Sequence, residues 1–209
     1  MTTVLLTGFE RFAGAASNSS WDAVERVAET WSGDAELVIE LLPVTFAGAS
    51  TAMRELIEHH KPDLVIGVGL ADSRAAITPE RVAINLEDAR IPDNAGDQPD
   101  SRAIDATGPS AYFSGLPVKA IAARIREAGI PSQVSDTAGT YVCNSLMYST
   151  MRAVEGTDVM AGFIHVPCSP ELAAGTDNPW LEVDEIARGL VIAIEVSLEE
   201  LAARQASGP

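Results

Sequence analysis

The chain has 209 residues, 46% of them hydrophobic, which is enough for one substantial core, and no shift in composition marks a second unit, so residues 1–209 read as one domain. Thirty acidic residues (Asp+Glu 30) against Lys+Arg 14 give a formal net charge of -16, which excludes the basic face that DNA, RNA or an anionic membrane would need. Cys 2, no charged apolar leader after Met1 and no apolar run of bilayer length predict a soluble, cytoplasmic, reduced protein without a stabilising disulfide.

Taken in order, Thr2–Thr7 is β-branched and apolar, the pattern of a central strand buried on both faces. It leads into a loop of small residues, Gly8–Ser20, that carries Phe9 and Phe12; these two rings either wall a flat pocket or pin the loop to the core. Ser19 or Ser20 is the expected cap of a helix with Val24, Val27 and Trp31 on one face. A strand over Glu36–Leu42 and a helix through Met53, Leu56 and Ile57 follow, the helix closing at His59-His60, where positive charge suits the dipole. Asp63–Gly69 reads as a third buried strand, and its Gly67-x-Gly69 lacks the third glycine of a nucleotide fingerprint.

Glu80 follows a proline-fixed turn and precedes a short apolar strand; spacing alone favours a surface carboxylate there. Leu86–Gly115 is polar and turn-rich, a length that suits a segment covering a site or meeting another subunit. Pro117 opens a helix with Ile121, Ile125 and Ala128 on its apolar stripe, ended by Gly129. Beyond a loop at Leu172–Pro179, an amphipathic helix from about Val183 to Ala203 closes the chain.

The chemistry gathers around Gly139-Thr-Tyr-Val-Cys-Asn-Ser-Leu-Met-Tyr148, where a cysteine meets the start of an amphipathic helix. Free N–H groups and the positive end of the helix dipole favour thiolate at Cys143, although a lone cysteine is also a common small core residue. Ile130–Ser135 and Asp158–Ile164 read as strands joined by this helix, a β-α-β unit with His165 directly after its second strand. Cys143 and His165 then share the carboxyl edge of the sheet, where open α/β folds carry their sites, and together outline a nucleophile with its base. The predicted fold is an α/β, three-layer sandwich: a mostly parallel twisted sheet with helices on both faces.

Thr7-Gly-Phe-Glu, Leu42-Pro-Val-Thr-Phe46, Pro79-Glu-Arg-Val-Ala-Ile-Asn85, Asp88-Ala-Arg-Ile-Pro-Asp-Asn94, Ala138-Gly-Thr-Tyr-Val-Cys-Asn144 and Phe163-Ile-His-Val-Pro167 occur in that order, and on these motifs nearly the whole chain resembles the pyroglutamyl peptidase I family of cysteine peptidases. The resemblance implies a triad of Cys143 as nucleophile, His165 as general base and acid, and Glu80 as the carboxylate that orients the imidazole. It implies removal of an N-terminal pyroglutamyl residue from peptides, a homotetramer and no cofactor or metal. Phe9, Phe12, Tyr141 and Val142 match the family's pocket positions, with Asn18 as the polar candidate; the Cys143 N–H and Arg90 are the oxyanion candidates.

The chain departs from the family pattern at Arg11, Ala13 and Ser19 in the first loop, at Asp72 and Ser73 in Ala71-Asp-Ser-Arg74, and at Cys168 after His-x-Pro. None of these touches the expected triad. Two other readings use the same residues: a lactam-binding protein that has lost turnover, and a metal site made of His165, Cys168, Cys143 and Glu80. No Gly-x-Ser-x-Gly turn is present to support a serine hydrolase.

Overall fold

The computed structural model describes residues 1–207. In chain order these form β1 (Thr3–Phe9), α1 (Ser19–Thr30), β2 (Glu36–Leu42), α2 (Phe46–His60), β3 (Leu64–Leu70), β4 (Thr78–Pro79), β5 (Val82–Ile84), β6 (Ala111–Phe113), α3 (Val118–Glu127), α4 (Val142–Ala153), β7 (Met160–Val166), α5 (Pro170–Ala173) and α6 (Val183–Ser207). A five-stranded sheet runs β2-β1-β3-β7-β4, parallel except for β4, which is antiparallel to β7. The apolar runs of β1, β3 and β7 are almost wholly buried because each has a strand on either side and helices above and below.

Alternation along the strands divides the core into two layers. Val4 and Leu6 of β1 face Val24 and Val27 of α1, Ile121 and Ile125 of α3, and Ile186, Leu190 and Ile194 of α6. Leu5 points to the opposite side, where Phe46 and Met53 of α2 and Leu146 and Met147 of α4 close the second layer. Among the described residues no helix is long and apolar enough to cross a membrane.

Four local expectations change. Ile130–Ser135 is not a sheet strand: it makes only isolated bridges, Ile77↔Ser132 and Glu80↔Ser135, along the edge beside β4. Pro131 has no N–H to give a ladder, so its carbonyl is used instead, by Ile77 N–H at 3.0 Å, and the parallel neighbour of β7 is β3. Asn18 rather than a serine caps α1, its side-chain oxygen accepting from Ser20 N at 3.1 Å, which leaves Ser19 free to donate from Oγ to Pro167 O at 2.7 Å. The long polar stretch after β5 contains a strand of its own, β6, antiparallel to β5, and the loop after β7 includes the single turn of α5.

Candidate active site

Cys143 is the second residue of α4, after Tyr141 at the cap position. Its neighbours anchor it: Val142 is buried, and the buried Asn144 side chain accepts from Ile84 N–H at 3.0 Å and donates to Ile84 O and Leu86 O at 2.9 Å each. This ties the start of α4 to β5. The thiol points to the end of β3, where a Cβ on Gly69 would stand 2.8 Å from Cys143 Sγ. Gly69 pairs with His165 across the β3–β7 ladder, one strand spacing of about 4.8 Å away, so thiol and imidazole share the carboxyl ends of these two strands.

His165 is buried, its ring edge-on to Phe163 at a centroid distance of 5.0 Å. Its Nδ1 lies 2.7 Å from Glu80 Oε1, an arrangement that assigns the Nδ1 proton as donor to the carboxylate and leaves Nε2 as the free base. Glu80 is 0% exposed, which overturns the surface placement that spacing favoured. Its backbone N–H donates to Phe163 O at 2.9 Å, and the carboxylate is paired with Arg74, whose Nη1 reaches the same Oε1. A buried carboxylate is tolerable only when so compensated.

The electrostatics modify the sequence expectation for the thiol. The helix-start N–H does favour thiolate, and so does Arg74, but burial first and the Glu80 charge second outweigh them and push the Cys143 thiol up to about 12. Burial also holds His165 below the usual histidine value of 6.5; Glu80 works against this and Arg74 adds to it. At neutral pH the pair therefore rests as thiol and neutral imidazole.

Of the pocket positions, Phe12 and Tyr141 meet as tilted rings, 52° between planes and 5.5 Å between centroids, and Tyr141 also meets Phe46 edge-on at 5.2 Å. The Tyr141 hydroxyl donates to Pro92 O at 3.0 Å, and burial, then the charges of Asp93 and Cys143, push its pKa up to about 12, so it is a phenol donor at neutral pH. Phe9 and Val142 are almost fully buried and pack in the core layer of α2 and α4. Phe9 also borders, with Asn18, Trp21 and Asn94, a cleft of ≈ 480 Å³. Asn18 is committed to the cap and to Glu10 O, to which its Nδ2 donates at 2.8 Å. Arg90 is exposed on the strand of loop that runs along Thr140, where Asp88 N–H meets Thr140 O at 2.9 Å and Thr140 Oγ1 meets Asp88 O at 2.8 Å.

The departures are also located. Ala13 has φ 52, and Asp72 lies in an exposed turn whose carbonyl faces Cys168 Sγ at 3.9 Å. Among the described residues no three His, Cys, Asp or Glu side chains converge as metal ligands; Glu80 and His165 engage each other instead. Three contributors escaped sequence reasoning. Gly67 and Gly69 make room for Phe163 and the thiol rather than for a nucleotide, Arg74 reaches the carboxylate, and Asn144 clamps the helix that carries Cys143. A cation in the turn after a buried strand and an amide directly after the cysteine were the available signals.

Fold and site together define a class: an α/β protein that sets a helix-start thiol beside a carboxylate-held imidazole, the equipment of nucleophilic thiol chemistry. The family model described as pyroglutamyl peptidase matches residues 2–200. The pyrrolidone-carboxylate peptidase of Clavibacter michiganensis is 48% identical over 199 residues, covering 95% of this chain and 93% of that protein. The crystal structure of Bacillus amyloliquefaciens pyroglutamyl peptidase I matches with a TM-score of 0.92 at 44% identity, over 96% of this chain and 98% of the other. The pyrrolidone carboxyl peptidase of Thermococcus litoralis matches with a TM-score of 0.92 at 37% identity, over 97% and 96%. The chain belongs to the pyroglutamyl peptidase family, whose members are cysteine peptidases.

Proposed function

We propose that this protein is a cysteine omega-peptidase that removes an N-terminal pyroglutamyl residue from peptides, with Cys143 as nucleophile, His165 as general base and acid, and Glu80 as the orienting carboxylate. The observation that carries the reading is the 2.7 Å contact between His165 Nδ1 and the fully buried Glu80, beside a strand end whose glycine accommodates Cys143 Sγ. Family membership supports the substrate class.

In the reaction, His165 Nε2 takes the thiol proton as sulfur attacks the pyroglutamyl carbonyl, forming the C–S bond. The oxyanion is met by the Cys143 N–H, with Arg90 as the side-chain candidate. The imidazolium gives its proton to the leaving amine as the C–N bond breaks. Water, losing a proton to His165, then attacks the acyl-enzyme; pyroglutamate leaves and the thiol is restored. Phe9, Phe12, Tyr141 and Val142 supply an uncharged surround for the lactam, and the Asn18 amide keeps one N–H uncommitted for a polar contact. An open glutamate terminus would bury an unpaired charge there. We extend the proposal, on family resemblance, to a homotetramer acting in the cytoplasm.

The test is release of a fluorophore from a pyroglutamyl amide by the reduced protein beside Cys143→Ala and Cys143→Ser. Turnover by the wild type that disappears in Cys143→Ala is expected. Undiminished turnover in Cys143→Ala would overturn the nucleophile, and pyroglutamate binding without any acyl-enzyme in the wild type would make this a binding protein.

A further inference from the structure

We infer that Arg74 is a positioning residue for the catalytic pair, a clamp that fixes the Glu80 carboxylate under His165 and ties it to the segment that presents Cys143. The inference rests on the roles proposed above for Cys143, His165 and Glu80. Arg74 comes from the turn after β3, and its guanidinium contacts three separate segments. Nη1 donates to Thr78 Oγ1 at 2.5 Å and to Glu80 Oε1; Nη2 donates to Thr137 O at 2.8 Å. Each contact leads to a different part of the site. Thr78 lies opposite His165 in the β4–β7 ladder, and its hydroxyl donates to His165 O at 3.4 Å. Glu80 holds His165 Nδ1. Thr137 stands six residues before Cys143 on the loop that enters α4, and its carbonyl also accepts from Ser135 Oγ at 3.1 Å.

The carboxylate itself explains why such a clamp is needed. Both of its contacts, from Arg74 and from His165, fall on Oε1, while Oε2 is buried without a partner among the described residues. A carboxylate held at one oxygen can pivot, and with Arg74 removed only the imidazole it is supposed to orient would restrain it. The planar fork of a guanidinium suits simultaneous donation to carboxylate, hydroxyl and carbonyl; a lysine ammonium supplies the charge but not that geometry. The guanidinium is also the cation that acts on both members of the pair, favouring thiolate at Cys143 and opposing imidazolium at His165. Glu80 acts in the reverse sense on both, and Tyr141 is the further titratable group coupled to the thiol.

Removing the cation therefore moves thiol and imidazole the same way, towards higher pH, whereas a purely structural defect would lower activity without moving either. The experiment compares the full-length wild type with Arg74→Gln and Arg74→Lys in two readouts: kcat and KM on a pyroglutamyl amide across pH, and the pH dependence of Cys143 alkylation by iodoacetamide, localised by peptide mapping. In Arg74→Gln, kcat is expected to fall about tenfold or more with KM within about threefold, and both profiles are expected to shift to higher pH. Arg74→Lys should return the profiles towards wild type while kcat recovers only in part. A superimposable alkylation profile in Arg74→Gln, whatever happens to kcat or thermal stability, would overturn the proposal. Absence of turnover in the wild type would instead remove the peptidase reading, and the alkylation profiles would still decide the role of Arg74.

Discussion

The side chain that Gly69 lacks leaves the space that Cys143 Sγ occupies: a Cβ there would stand 2.8 Å from the sulfur and 2.8 Å from Phe163 Cζ. Two residues earlier, a Cβ on Gly67 would meet Phe163 Cδ2 at 2.6 Å and leave the thiol alone. The two glycines thus separate packing from positioning. Both Gly67→Ala and Gly69→Ala are expected to cost about 1–3 kcal/mol by overpacking, measured by urea unfolding. Only Gly69→Ala should also displace the Cys143 thiol, lowering kcat roughly a hundredfold as expected for a shift near 1 Å if the thiol is the proposed nucleophile. Equal kcat in the two variants would mean that the thiol is not held against β3 in the working enzyme.

Stability should be greatest between about pH 6.5 and 9, for two opposite reasons. The unfolded chain protonates its histidine near 6.5, while burial keeps His165 neutral below that value, so the unfolded state binds more protons and stability falls as pH drops through this range. The unfolded chain gives up a cysteine proton near 9.0, while folded Cys143 holds it to about 12, so stability falls again as pH rises above 9. Cys168 and Tyr141, both raised chiefly by burial, add to the alkaline loss. Cys143→Ala removes one contribution: its stability relative to wild type should improve steadily from pH 9 to 11 in denaturant titrations. A pH-independent difference would show that the thiol ionises in the folded protein as freely as in the unfolded chain.

Asn144 carries more structural weight than its place beside Cys143 suggests. Its one side chain satisfies Ile84 N–H, Ile84 O and Leu86 O while almost completely buried. Asn144→Ala strands the Ile84 N–H and Leu86 O, while Ile84 O keeps the Leu86 N–H at 2.9 Å, and is expected to cost about 2–4 kcal/mol. Asn144→Asp should be no better, since it presents an acceptor to two carbonyl oxygens. A loss under about 1 kcal/mol in Asn144→Ala, measured by urea unfolding, would mean that water replaces the amide at little cost.

Local patterns revealed most of this fold, and failed where long-range partners decide. The strand at Glu36–Leu42 and the helix closing at His59-His60 could be read from alternation and dipole chemistry, because both elements are specified within their own residues. Ile130–Ser135 has the composition of a strand, but its ladder partners are single residues of a segment some 55 positions away, which periodicity cannot reveal. Glu80 illustrates the same limit in chemistry. Its burial is made tolerable by Arg74 and His165, one from a preceding turn and one 85 residues later, so spacing alone favoured solvent and only the match to a known motif indicated otherwise. The role of the β3 glycines was illegible for a related reason: what they accommodate, Phe163 and Cys143, arrives from elsewhere in the chain.

Ala13 tests how the first loop tolerates its departure from the family pattern. It adopts φ 52, a left-handed conformation that favours glycine, and is followed by Gly14 at φ 79. It also immediately follows Phe12, whose ring rests on Tyr141 at 5.5 Å, so strain here bears directly on the proposed lactam surround. An alanine in this conformation costs about 1–2 kcal/mol, against roughly 0.4–1 kcal/mol that glycine would lose through a freer unfolded chain. Strain relief is the larger effect, and Ala13→Gly is expected to stabilise by about 0.5–1 kcal/mol. Ala13→Val should go the other way, since β-branching makes the left-handed region still less accessible. The displaced Phe12 should then raise KM for a pyroglutamyl amide while leaving kcat nearly unchanged, because no group of the Cys143, His165 and Glu80 set moves with it. A fall in kcat at constant KM in Ala13→Val would instead place this loop in control of the nucleophile rather than of substrate binding.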